Sequence, residues 1–154
     1  MNAVEIEEAI SNLAEQPFDA VNFPYEFLRA FGNKETTIKR LRGSSENKSD
    51  IENGLLQRNN IHIAVCPIGE TNTVLNKLRK SFATEKAKAK FILATDGEDF
   101  EAEDLTTGEI LVCPYSDFPN HFGFFLTLAG ISNVKQIRES SFDILATMQV
   151  SLLH

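Results

Sequence analysis

The stretch Lys90–Asp104, KFILATDGEDFEAED, decides the fold class of this chain. An apolar run, Phe91–Thr95, meets Asp96-Gly97 and returns as a run that places acid on alternate positions. Asp-Gly between two such runs is a strong hairpin signal, because both central residues of a type I′ turn need positive φ. A second apolar strand is read at Ile61–Cys66, and stretches of helical period lie on either side. The expectation is an α+β domain with a mixed sheet flanked by helices, a single domain over residues 1–154.

Working outward, Gly54–Arg58 and Ile61–Cys66 read as a hairpin around Asn59-Asn60, whose side chains tolerate positive φ. Thr73–Ser81 is amphipathic through Val74, Leu75 and Leu78. Thr84–Lys90 is a short basic connector with no assigned element. Ala3–Glu15 reads as a helix with Ile6, Ile10 and Leu13 on one stripe. Asn22 is expected to cap a helix over Pro24–Phe31, with Gly32 as its stop, and Asn33 to cap another over Lys34–Arg42. Ser44–Asp50 is small, polar and aperiodic, and reads as a mobile loop. Beyond the central hairpin, Thr107-Gly108 turns the chain into Glu109–Cys113. Asp117 is expected to cap a short helix reaching Phe125, Leu126–Ser132 reads as an apolar loop, and Val134–Glu139 and Ser141 onward read as helices.

At 154 residues, 42% apolar, with twelve Phe and no Trp, the chain can bury a core without metal or disulfide. Its two cysteines, Cys66 and Cys113, lie far apart within strands, so they read as inert core thiols in a reducing cytoplasm. The stretch MNAVEIEEAI lacks the basic region and apolar run of a signal peptide, so export is not expected, and no segment reaches the roughly 20 apolar residues of a membrane span. The formal charge of −7 opposes strong autonomous DNA binding. Basic residues nevertheless gather at Lys34–Lys48, five against two acidic, and at Lys77–Lys90, six against one. Lys39, Arg40, Arg42, Lys77 and Lys80 are the candidate phosphate contacts, offering DNA a weak hold through a basic face. The bland reading is solvated helix surface.

Catalytic patterns are incomplete. Asn22-Phe23-Pro24-Tyr25 lacks the glycine-rich cofactor loop that would accompany a base-flipping methyltransferase motif, and reads as a helix start. No GxSxG elbow occurs, and His62, His121 and His154 lack zinc-site spacing. His62 reads as a hydrogen-bonded, half-buried strand residue. Asp96, Glu98, Asp99, Glu101, Glu103 and Asp104 could hold a hard cation, but their alternation with Phe100 and Ala102 reads as a charge-blunted edge strand. A metal-dependent nuclease needs an Asp followed by an acid and a Lys two residues apart on a strand. Only Glu46-Asn47-Lys48 has that spacing, and it lies in the polar loop. No metal site is assigned.

Four blocks in order, Phe27-Leu28 with Phe31, NIHIAVC at Asn60–Cys66, KFILATDGEDFEAEDL at Lys90–Leu105 and DFPNHFGFFLTLAG at Asp117–Gly130, carry a family resemblance. From about Phe18 to Ile144 the chain resembles the N-terminal domain of bacterial adenine-N6 DNA methyltransferases of the type IIL restriction-modification kind. The resemblance implies a restriction-endonuclease-like fold ahead of a helical spacer, a methyltransferase portion using S-adenosylmethionine, and a target-recognition region. No cofactor is expected in this chain itself. The family's nuclease acid and lysine fall near Val65 and Pro67, which can neither bind a metal nor activate water, and the preceding Asp would be Asp50 at too long a spacing. The expectation is a catalytically degenerate domain that contacts DNA or docks on the methyltransferase portion, with no membrane partner. Where the family would continue, ILATMQVSLLH ends the sequence, as a truncated gene or a chain cut at a domain edge would. Two alternatives stand beside this reading: a Mg²⁺-dependent nuclease using Asp50, Asp96 and Glu98, and a stand-alone interaction module that binds through an exposed Phe118–Leu128.

Overall fold

Asn2 opens the first helix with reciprocal bonds. Its Oδ1 accepts the Glu5 amide at 2.9 Å, and the Glu5 carboxylate accepts the Asn2 amide at 3.0 Å. The computed structural model describes residues 2–43 and 46–131. Helix α1 (Ala3–Glu15) is followed by α2 (Phe23–Ala30) and α3 (Glu35–Arg42). Strands β1 (Gly54–Gln57) and β2 (Ile61–Val65) precede α4 (Thr71–Lys80) and α5 (Phe82–Lys86). Strands β3 (Phe91–Thr95), β4 (Asp99–Asp104) and β5 (Ile110–Pro114) follow, and Tyr115–Ala129 winds as a tight 3₁₀ helix broken at His121.

The five strands lie in sequence order in one sheet. Both expected hairpins form, β1 with β2 and β3 with β4, and β4 pairs antiparallel with β5. Only β2 and β3 run parallel, joined through α4 and α5. The architecture is therefore α+β with a mixed sheet. On one face, Ile61, Ile63, Phe91, Leu93, Phe100 and Ala102 pack against α1, α2, α3 and the 3₁₀ helix. On the other face, Ala64, Ile92 and Ala94 pack against Val74, Leu75 and Leu78 of α4.

Several local expectations give way. The Asp96-Gly97 turn is not type I′, since Gly97 alone has positive φ (90°) and Asp96 does not. An ideal Cβ on Gly97 would lie 2.7 Å from Cδ2 of Phe18, which packs on Phe23 and Tyr115. Gly97→Ala should therefore cost at least about 1–2 kcal/mol from the left-handed backbone alone, read as a fall in the urea midpoint. Strand β4 is not an edge. It lies between β3 and β5, and its acids line the face beside α4, where Glu101 accepts Asn72 and Glu103 accepts Arg79. Neither proposed Asn cap operates: Asn22 makes no capping bond, and the cap position of α3 is Lys34, while Asn33 donates to the Leu28 carbonyl and accepts Gln57.

The Phe118–Leu128 segment is not an exposed docking surface. Phe118, Phe122, Phe125, Leu126 and Leu128 are buried in the larger core, and Leu126–Ala129 continues the 3₁₀ helix up to the left-handed Gly130. The connector after α4 contains α5, capped by Ser81, whose Oγ accepts the Thr84 amide. The helices expected at Val134–Glu139 and from Ser141 onward lie outside the described residues, as do Ser44 and Ser45.

Candidate nucleic-acid interface

The end of β2 is where the resemblance places cleavage chemistry. There Val65 is buried in the core and the chain turns out through Cys66 to an exposed Pro67. The side chains of Val65 and Pro67 offer no oxygen, nitrogen or sulfur, so neither residue can bind a metal or activate water. Asp96 sits at the adjacent end of β3, buried, with both carboxylate oxygens engaged by backbone amides. Its Oδ1 accepts the amides of Glu98 (2.8 Å) and Asp99 (2.7 Å), and its Oδ2 accepts that of Gly69 (2.9 Å). Burial pushes its carboxyl up, but these donors outweigh it and hold the group below the usual carboxylate range.

Asp50 is committed elsewhere. It accepts Ser81 Oγ at 2.6 Å and lies within reach of the Ala83 amide, the start of α5. Burial raises its carboxyl, and the Ser81 and Ala83 bonds lower it further than burial lifts it. Asp50 neighbours His62, while Asp96 follows Thr95, which pairs with Val65. Three residues of strand, about 10 Å, separate those two levels. Glu98 is exposed on the turn. The set Asp50, Asp96 and Glu98 is therefore not assembled around one point. Among the described residues no group of three or more His, Cys, Asp or Glu is placed to hold a metal ion. Burial raises both thiols, that of buried Cys113 to about 11, while Cys66 is half-buried rather than a core residue.

The five basic candidates are exposed but do not share a face. Lys39, Arg40 and Arg42 stand on the last turn of α3, on the side of the sheet that carries the larger core. Lys77 and Lys80 stand on α4, which covers the opposite side. Arg79 between them is held by Glu103 at 2.7 Å, beside the acidic row of β4. Around α3 the setting is different. The Arg42 guanidinium lies 4.1 Å from the Tyr25 ring centroid, a cation–π contact that keeps the charge at the surface. It lines a groove of about 520 Å³ with Val21, Pro24, Tyr25 and Asn53.

Comparison with known proteins decides the family. The family model described as "MmeI, N-terminal domain" matches residues 1–154. The chain belongs to the MmeI N-terminal domain family. The MmeI match extends over the residues before Phe18 and after Ile144, beyond the span that carried the resemblance. DNA methyltransferase A of Bacillus subtilis (strain 168) is 25% identical over 154 residues, which is 100% of this chain and 17% of the relative. The chain thus spans about a sixth of that relative's length. No solved structure matches. Among the described residues no helix is long and apolar enough to cross a membrane.

Within this MmeI N-terminal domain one buried polar group, His62, was legible in the sequence only in part. His62 on β2 is 0% exposed rather than half-buried. Its Nδ1 lies 2.7 Å from Thr84 Oγ1 and its Nε2 2.7 Å from Ser49 Oγ. Thr84 Oγ1 donates to the Leu78 carbonyl at 2.9 Å and so accepts from Nδ1–H, while Ser49 Oγ lies within hydrogen-bond reach of both Nε2 and the Ile51 carbonyl, the latter at 3.2 Å. Burial holds the imidazole at about 4, against a smaller upward pull from Asp50. The cluster has the residue types of a Ser–His–acid relay without its order, since Asp50 bonds Ser81 and not the ring. It acts as a clamp that pins residues 47–50 to the sheet.

Proposed function

We propose that this chain is the N-terminal domain of a DNA methyltransferase of a restriction-modification system, a restriction-endonuclease-like frame that no longer cleaves and that contacts the DNA backbone through α3. The observation that carries the loss of cleavage is the run Val65-Cys66-Pro67 at the end of β2, with the nearest buried carboxylate, Asp96, engaged by three backbone amides. Membership in the MmeI N-terminal domain family and the likeness to DNA methyltransferase A support the parent assignment. S-adenosylmethionine would be held by the methyltransferase portion of such a parent, because residues 1–154 contain no glycine-rich cofactor loop.

Of the two basic sets, α3 suits phosphate better. It carries three exposed cations in one turn, whereas Lys77 and Lys80 share α4 with Arg79, which Glu103 holds. At low salt, Lys39→Glu with Arg40→Glu should abolish most duplex binding. The slope of log K against log salt should fall by about 0.9 for each phosphate that is no longer neutralised. Lys77→Glu with Lys80→Glu should leave both almost unchanged. Anisotropy titrations over a salt series check this, and equal losses from the two pairs would remove α3 from the interface.

A further inference from the structure

The end of the sheet from which the parallel strands β2 and β3 start gathers cations from three separate stretches of sequence. Gln57, the last residue of β1, ties the first two together. Its Nε2 donates to Asn33 Oδ1 and its Oε1 accepts Asn60 Nδ2, both at 2.8 Å. Lys34, which follows Asn33 at the cap of α3, therefore stands near Arg58 in the β1–β2 turn. The Asn59 amide donates to the Ala87 carbonyl and the Lys90 amide to the Asn60 carbonyl, again at 2.8 Å. The same turn thus meets Lys86, Lys88 and Lys90, where α5 leads into β3. All five cations are exposed, and among the described residues none of them makes an ion pair. The acids beside them are mostly engaged. Glu85 on α5 is exposed, but Glu35 is held by Arg29, Asp50 by Ser81 and Asp104 by Thr106.

Lys88 is the member that the fold itself explains least. It stops α5 with φ 56°, its amide donating to the Glu85 carbonyl at 3.1 Å while the Ala89 amide donates to the Thr84 carbonyl at 3.2 Å. These are the paired bonds of a helix stop whose left-handed residue is usually glycine. A lysine there strains the backbone and makes no ion pair in return, and it adds a charge to the cluster. The cations spread over the width from β1 to β3, about 10 Å. A compact anion calls for enclosed, convergent donors, whereas a duplex presents about six charges over that length of its axis. We infer that this end of the sheet is a second seat for the DNA backbone, made by Lys34, Arg58, Lys86 and Lys88, with Lys90 at its margin beside Asp104. The inference rests on the reading of this domain as one that contacts DNA. Helix α3 rises about 12 Å from Lys34 to Arg42, so one duplex spans its last turn and this seat together.

Anisotropy titrations of the full chain with a short duplex over a salt series test this, beside urea unfolding of each variant. Lys88→Gly removes one cation and gives the left-handed position the residue that suits it. The urea midpoint should hold or rise, while the slope of log K against log salt falls by about 0.9. Arg58→Glu with Lys86→Glu, both on exposed side chains, should leave the midpoint in place and lower that slope by about 1.8. Unchanged slopes in both variants, while Lys39→Glu with Arg40→Glu still abolishes binding, overturn this seat and leave α3 standing. The reverse pattern keeps this seat and removes α3. Polyglutamate that binds as tightly as the duplex, and is lost with Arg58→Glu and Lys86→Glu, overturns the assignment to DNA in favour of an acidic protein. No duplex binding by the unaltered chain overturns the DNA-contacting reading and this seat with it.

Discussion

Phe118→Ala should destabilise the domain by about 3–5 kcal/mol, the largest loss expected from a single truncation. Phe118 is fully buried, its ring stacked on Phe100 with centroids 4.6 Å apart and planes 3° from parallel. Phe23, Phe27 and Tyr115 close around it at 6.2, 6.4 and 5.1 Å. This one side chain therefore joins β4, α2 and the 3₁₀ helix, and its removal opens a cavity that three elements share. Phe82, 73% exposed on α5, is the control. Its truncation should change stability by less than about 0.5 kcal/mol. Urea unfolding of the two variants should separate them clearly. A loss below about 1 kcal/mol for Phe118→Ala would mean that this packing is not what holds the helical layer on the sheet.

Acid should weaken the fold through His62. Unfolded, the imidazole takes a proton below its ordinary 6.5, whereas the folded group, buried between Ser49 and Thr84, resists until about 4. Between those values the unfolded state holds more protons, so stability falls as pH falls. The loss should reach about 2.5 kcal/mol at pH 4.5 relative to pH 7. His62→Gln, which keeps a polar group on the strand but cannot titrate, should lose stability at neutral pH and show a pH dependence flatter by that amount. Chemical denaturation of both proteins at the two pH values measures it. Parallel profiles would mean that His62 is protonated in the native state or contributes no linkage.

Local patterning made much of this structure legible. Helix α1, both hairpins and the inward Phe100 and Ala102 follow from periodicity and turn chemistry. What was not legible depends on partners distant in sequence. Ser44–Asp50 has the composition of a free loop, yet Asn47 bonds the edge of β1, Ser49 meets His62 13 residues on, and Asp50 meets Ser81 31 residues on. No window of local sequence contains those pairs. Alternating acid on β4 suggests an edge, but α4 supplies Asn72 and Arg79 to those carboxylates and the true edge falls on β5. The basic residues were visible as two runs. Only the chain's path around the sheet shows that α3 and α4 face opposite ways. That Val65 and Pro67 at the exit from β2 can hold no metal was readable in the sequence, because neither residue type carries a ligand atom.

The central claim, a DNA-contacting domain that no longer cuts, meets its most direct test on an agarose gel of supercoiled plasmid incubated with excess chain at low salt in Mg²⁺. The plasmid should be retarded, and after removal of the protein it should run again as supercoiled DNA. Nicked or linear product that disappears with Asp96→Asn would contradict the claim by restoring a nuclease, and a plasmid that is never retarded would contradict it by removing the DNA contact.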